Sequence, residues 1–228
     1  MIEANGSAFI SPAEAARRLG VTPRRIYALV ADQRIRARRV GGRLLVERDD
    51  VDARAEGPSA IGRPFSPRRS WALLLLAAGS NPSGVDAATK SKLKRLLRER
   101  DLWSMRARLG GRSQCRPLRA HSSDLPRIGA EPGVVRTGAR YAADAGLGLV
   151  APDAPVEIYL TEAMAEQVVE RYRLAPSPRP NVVLRVVPDE VFLWLHGPVA
   201  PRLAIALDLA EDRDPRSRDV ARSILERT

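Results

Sequence analysis

Ser11-Pro12-Ala13-Glu14-Ala15-Ala16-Arg17-Arg18-Leu19-Gly20-Val21-Thr22-Pro23-Arg24-Arg25-Ile26-Tyr27-Ala28-Leu29-Val30 holds two helix starts and one helix stop in a single short span. Ser11 and Glu14 have capping-box spacing: the hydroxyl can accept from the Glu14 amide, the carboxylate can reach back, and Pro12 is preset for the first turn. Gly20 ends that helix, because its tolerance of positive φ suits the position after the last turn. Thr22-Pro23 repeats the cap-then-proline start. In the second helix Ile26, Leu29 and Val30 share one face, Arg24 and Ala28 face away, and Arg25 and Tyr27 flank. Two short helices joined by a glycine-containing turn predict helix-turn-helix geometry.

After the second helix, Ile35-Arg36-Ala37-Arg38-Arg39-Val40-Gly41-Gly42-Arg43-Leu44-Leu45-Val46 reads as two strands about a Gly-Gly hairpin turn, which makes a wing. Arg48-Asp49-Asp50-Val51 then opens a small third helix. Residues 17–43 contain nine arginines and one acid, Asp32. This order of capped helix, Leu-Gly-Val-Thr-Pro turn, second helix, Arg-rich wing and acidic helix start resembles the winged helix-turn-helix of excisionase and MerR-type regulators. The resemblance implies a double-stranded DNA operator as partner, with the second helix in a major groove. Arg24 and Arg25 then face base edges and Arg38, Arg39 and Arg43 hold phosphates, while Arg17, Thr22, Tyr27 and Arg36 complete the expected interface. Tyr27 either stacks on a sugar or packs under the wing, and packing is the favoured expectation. The bland alternative is that an Arg-rich face is only a solvated surface. One small reader buries little DNA, so a homodimer on a two-fold operator is expected.

The chain has 228 residues, enough for one or two domains, with 44% apolar, 4% aromatic and 29% charged residues. Any core must therefore be aliphatic. The apolar run at 71–78 is far short of the roughly 20 residues a membrane crossing needs. The N-terminus shows neither a secretory nor a transit signal, so no membrane partner and a cytoplasmic location are expected. Cys115, the single cysteine, cannot form an intrachain disulfide. The formal charge of +11 favours a polyanionic partner and is unevenly spread: +3 over residues 1–56, +12 over 57–140 and −4 over 141–228.

Residues 57–69 read as a linker, because three prolines and two glycines between 57 and 67 prevent helix. The expected division is thus a DNA-binding domain at 1–56, the linker, and an effector domain at 70–228. Within the last, 71–78 reads as a buried helix, and 86–109 as a basic amphipathic helix broken near Asp101. A strand at 156–160 leads into a helix at 161–172 capped by Thr161. Residues 182–187 and 191–195 read as strands of a hairpin joined through Pro188-Asp189-Glu190, and two helices follow at 203–210 and from Asp214-Pro215 to 225. Thr137-Gly138 to Gly146-Leu147 reads as a small-residue helix. The fold class expected is α+β: a winged helix-turn-helix followed by a mixed α/β domain.

Val134-Val135-Arg136-Thr137-Gly138-Ala139-Arg140-Tyr141-Ala142-Ala143-Asp144-Ala145-Gly146-Leu147, Asn181-Val182-Val183-Leu184-Arg185-Val186-Val187 and the stretch from Val199-Ala200-Pro201 to Asp208-Leu209, with Asp212 to Arg218 after it, resemble the C-terminal domain of AbiEi-type antitoxins. The resemblance implies an autorepressor whose residues 70–228 neutralise a nucleotidyltransferase-type toxin. Taken singly, Asp208 and the residues from Asp212 to Arg218 read as a helix end and a surface turn. The alternative is a MerR- or excisionase-like regulator whose C-terminal domain senses a ligand or contacts a protein. Lys90, Lys92, Lys94, Arg95 and Arg98 offer a second nucleic-acid contact, to DNA or RNA, or else a solvated face.

Catalytic signatures fail. The sequence has no phosphate loop, no Gly-x-Ser-x-Gly elbow and no glycine fingerprint after a strand. His121, His196 and Cys115 lack metal-ligand spacing. Cys115 beside Arg116 could have a lowered pKa, but no base can be assigned to it. No enzymatic activity, cofactor or metal is expected.

Overall fold

A computed structural model describes residues 9–31, 35, 37–48, 50–51, 64–177, 179–212 and 214–228. The chain forms two compact units, Met1–Ile61 and Gly62–Thr228. Its fold class is α+β.

In the first unit α1 (Pro12–Leu19) and α2 (Pro23–Ala31) pack on a three-stranded antiparallel sheet of β1 (Phe9–Ile10), β2 (Ala37–Val40) and β3 (Arg43–Glu47), with β3 central. The start signals act as read. Ser11 accepts from the Glu14 amide at 3.2 Å, and Thr22 from the Arg25 amide at 3.4 Å. Gly20 stands at φ 62°, and Val21 returns a bond to the Ala16 carbonyl at 3.0 Å, closing the turn. The wing turn is Gly41-Gly42 at φ 56° and 77°, and glycine adopts such angles without side-chain strain. β1 was not expected: Ile10 pairs with Val46 and adds to a core of Ala15, Ala16, Ile26, Leu29 and Ile35. Arg48, Asp50 and Val51 are helical; Asp49 lies outside the described residues, as do Arg36 and 57–63 of the expected linker.

The second unit carries a five-stranded mixed sheet ordered β5-β6-β8-β4-β7. These strands are β4 (Gln114–Arg119), β5 (Val135–Thr137), β6 (Val156–Leu160), β7 (Ala175–Pro176) and β8 (Val182–Val186). β6 and β8 are parallel neighbours joined across α7 (Glu162–Tyr172), which Thr161 caps; the other pairings are antiparallel. Period-two alternation gives the sheet two unlike faces. Val156, Ile158, Leu160, Val182 and Leu184 form an apolar face beneath α6 (Leu125–Gly129) and α7. The other face carries Thr137, Glu157, Tyr159 and Arg185. On that side lies the larger core, built from α3 (Pro67–Ala77), α4 (Ala87–Glu99), α5 (Leu102–Leu109), α9 (Arg202–Ala210) and α10 (Pro215–Leu225).

Four expectations are corrected here. The strand at 191–195 is absent. Asp189–Phe192 is a short helix, α8, because Pro188 followed by two acids is a helix start, and both edges of β8 are already taken by β6 and β4. The small-residue helix at 137–147 is also absent. β5 ends at Thr137, Gly138 turns at φ 79°, and Ala139–Tyr141 makes one 3-10 turn; a Cβ on Gly138 would stand 2.5 Å from Glu157. The helix expected from Trp71 begins at Pro67, because Ser66 caps it through the Arg69 amide at 3.3 Å and buried Phe65 anchors the approach. The fourth concerns Asp208, a core residue rather than a surface helix end. The expected break near Asp101 is present: Asp101 caps α5 through the Ser104 amide at 2.7 Å.

Candidate nucleic-acid interface

α2 turns Ile26 and Leu29 into the core, so helical periodicity puts Arg24, Tyr27, Ala28 and Ala31 on the opposite ridge, with Thr22, Arg24, Arg25 and Tyr27 all exposed. Tyr27 is 53% exposed, which corrects the expectation that it packs under the wing. Its phenol adds the one large aromatic surface to the cationic ridge. Arg17 is exposed near the end of α1, and Arg18 pairs with Glu14 at 3.0 Å.

The wing divides its arginines. Register pairs Ala37 with Val46, Arg38 with Leu45, Arg39 with Leu44 and Val40 with Arg43. Val46 faces the core, so Arg39 shares the helix-bearing side of the sheet while Arg38 and Arg43 lie on the other. The Arg38 guanidinium sits 3.8 Å over the Phe9 ring, so β1 orients it. Of Arg38, Arg39 and Arg43, Arg39 is therefore the one on the side that carries α1 and α2, with Arg24 and Arg25.

Lys92, Lys94, Arg95 and Arg98 are exposed on α4 in the second unit, with Lys90 half-buried. Arg95 has Glu99 at 3.8 Å; the other four make no ion pair among the described residues.

Sequence reasoning missed a buried ionic cluster on the polar face of the second sheet. Asp208, on α9 and 2% exposed, accepts from Arg112, from Thr137 and from the Tyr159 hydroxyl at 2.8 Å. Arg185 lies 3.2 Å from the same carboxylate and donates to Glu157 at 2.8 Å and to Glu211 at 2.9 Å. Trp71 meets Tyr159 edge-on at 5.1 Å and donates to the Arg112 carbonyl. Burial opposes the Arg112 charge, yet Tyr159, Asp208 and Glu211 outweigh it and hold the guanidinium well above its ordinary range. Two arginines face three carboxylates. The surplus falls on Glu157, whose carboxyl is pushed by burial, against Arg185 and with Asp208 and Asp212, from 4.5 up to about 7. Cys115 has its sulfur 3.3 Å from Arg185, but burial raises its pKa, opposite to the lowering considered from its neighbours in sequence. The signal for this cluster was a single charge inside an apolar run, at Arg185 and again at Asp208.

A groove of 360 Å³ opens between the α6–β5 segment and the loop after α8, lined by Gly129, Glu131, Arg136, Phe192, Leu195 and Gly197 among others. Among the described residues no helix is long and apolar enough to cross a membrane.

Residues 9–58 match a family model described as a helix-turn-helix domain. No curated protein and no solved structure matches the chain.

Proposed function

We propose that this chain is a sequence-specific DNA-binding transcription regulator that acts as autorepressor and antitoxin. The observation that carries the DNA-binding part is the exposed α2 ridge, with Arg24, Arg25 and Tyr27 outward and the helix anchored beneath by Ile26 and Leu29, within a span that matches a helix-turn-helix domain. Arg24 and Arg25 are the base-reading candidates, Arg17, Thr22 and Arg39 position the helix on phosphates, and two copies occupy a two-fold operator. Arg36 belongs to the same proposal. No catalytic step, cofactor or metal is part of this role. Charge reversal at Arg24 should cost about 1–3 kcal/mol of specific binding for the lost bidentate contact, with repulsion added to it. A mobility-shift titration of full-length protein on its own upstream region tests this. Equal binding by Arg24→Glu would remove α2 as the reading helix.

Support for the antitoxin half is that the three stretches carrying that resemblance supply Thr137, Arg185 and Asp208 to one buried cluster. Growth rescue by a fragment starting at Gly62, which keeps Ser66 and Phe65 for α3, separates neutralisation from repression. Rescue only by the full chain would leave repression as the whole effect. The alternative, a MerR- or excisionase-like regulator with a ligand-sensing second unit, is favoured by the 360 Å³ groove, which lies within the size range of small-molecule sites. A nucleotidyltransferase-type reading frame beside the gene favours the antitoxin; its absence favours the sensor.

A further inference from the structure

Among the described residues, the second unit carries a group of cations without an ion-paired carboxylate. Phe65 is buried, and two guanidinium groups stack on its ring, Arg108 at 4.0 Å and Arg69 at 4.7 Å. The Phe65 amide donates to the Arg108 carbonyl at 2.9 Å, tying the approach to α3 onto the last turn of α5. Arg69 lies in the first turn of α3, where the helix dipole favours acids and the sequence supplies none. Arg100, the residue after α4, is exposed and close enough to act on Arg108. Burial, then the charges of Arg69 and Arg100, lower the Arg108 pKa. The Arg108 Nε is buried without a hydrogen-bond partner, and among the described residues none of the three guanidinium groups has an ion pair. Like charges held together over one ring repel, and a bound anion would remove that cost.

We propose that Arg69, Arg100 and Arg108, continued along α4 by Lys90, Lys94 and Arg98, form a second duplex-DNA contact that grips phosphates beyond those met by the winged unit. This rests on the DNA-binding role proposed above for α2. The i, i+4 spacing of Lys90, Lys94 and Arg98 lines them up on one side of the helix. Duplex rather than single-stranded nucleic acid is favoured because the aromatics here are already covered. Phe65 lies under two arginines, and Trp103 has Arg106 at 4.1 Å and Arg222 at 5.0 Å. Among the described residues no large apolar side chain of α3, α4 or α5 is exposed as a stacking platform, which single-strand binders use. What the patch presents is charge for a backbone, without base readout.

The test uses full-length protein, an unrelated duplex and the upstream duplex, and a salt titration. Arg69→Gln/Arg100→Gln changes two exposed residues and should leave the melting temperature in place. It should lower the slope of log affinity against log salt by about 2, at roughly 0.9 per phosphate contact. The same drop is expected on the unrelated duplex in an Arg24→Glu/Arg25→Glu background. An unchanged slope in both backgrounds overturns the proposal. If Arg24→Glu/Arg25→Glu binds the upstream duplex like the parent while Arg69→Gln/Arg100→Gln still loses slope, the α2 reading fails and the second contact stands. Tighter binding of single-stranded RNA of the same sequence, with the same loss on substitution, overturns the choice of duplex.

Discussion

Asp208→Ala should be among the most damaging single changes in the second unit. The carboxylate is 2% exposed and takes bonds from Arg112, Thr137 and Tyr159, with Arg185 at 3.2 Å. Its removal leaves Arg112, whose side chain is 1% exposed, with the half-exposed Glu211 as its remaining acid, and leaves the Thr137 hydroxyl without its partner. Breaking a buried pair from one side costs about 3–5 kcal/mol, because the surviving charge stays desolvated. Arg185 keeps Glu157 and Glu211, so the middle of that range, about 4 kcal/mol, is expected. For a unit of this size each kcal/mol moves the midpoint by about 2–4 °C, so the transition of the second unit should fall by roughly 8–16 °C. Asp208→Asn keeps the shape and one acceptor and should fall by less. Thermal melting of the full chain at pH 7, followed by far-ultraviolet circular dichroism and tryptophan fluorescence, reads the change, since Trp71 lies edge-on to Tyr159. A fall of less than about 3 °C in Asp208→Ala would show that the cluster adds little, and that the buried-pair estimate does not apply here.

Glu157 holds its proton in the folded state up to about pH 7 but loses it near 4.5 when unfolded, so the folded form binds more protons in that window and stability falls as pH rises through it. Glu157→Gln should flatten that decline, which is on the order of 3 kcal/mol; urea titrations showing an equal loss of stability from pH 5 to pH 8 in parent and variant would sink the assignment. Arg39→Gln should lower the salt slope of DNA binding by about one and Arg43→Gln by less, since of these two Arg39 shares the helix side of the wing; the reverse order would place the other face on DNA. Tyr27→Ala, at a residue 53% exposed, should weaken operator binding while changing stability by no more than about 0.5 kcal/mol, and a large drop in melting temperature would mean that Tyr27 packs after all.

Much of the secondary structure was legible because its signals are local. Ser11, Thr22, Asp101, Thr161 and Asp214 each stand a few residues from the amide they cap, so sequence spacing alone specifies the bond. Three local signals act differently from the sequence expectation: Pro188-Asp189-Glu190 opens a helix and not a hairpin turn, Gly138 turns the chain over Glu157 and does not begin a helix, and Ser66-Pro67 starts α3 inside the expected linker. The α2 ridge was legible from periodicity, but the exposure of Tyr27 depended on how β1 and the wing close the small core. The buried cluster was illegible for a different reason. Arg112 and Asp208 are 96 residues apart, and an isolated charge reads as solvated surface until a partner is placed beside it. A hint lay in Val182-Val183-Leu184-Arg185-Val186, where a strand otherwise fit for burial carries one cation, and in Leu203-Ala204-Ile205-Ala206-Leu207-Asp208-Leu209, where an apolar helix carries one anion.

That same separation sets an order of events during synthesis. Arg112 is made 96 residues before Asp208 and Arg185 26 before Glu211, so the polar face of the sheet holds both guanidinium groups, with Glu157 beside Arg185, before Asp208 and Glu211 join them. Water must keep those guanidinium groups hydrated until α9 arrives, because drying them singly is costly. The apolar face under α6 and α7 has no such dependence and can consolidate first, with α7 made between β6 and β8. Closure of the larger core then waits for a contact of long loop length, which slows folding. A released chain truncated just before α9 should therefore have one dry face and one wet one, and protease should cut α3 to α5 before it reaches β6.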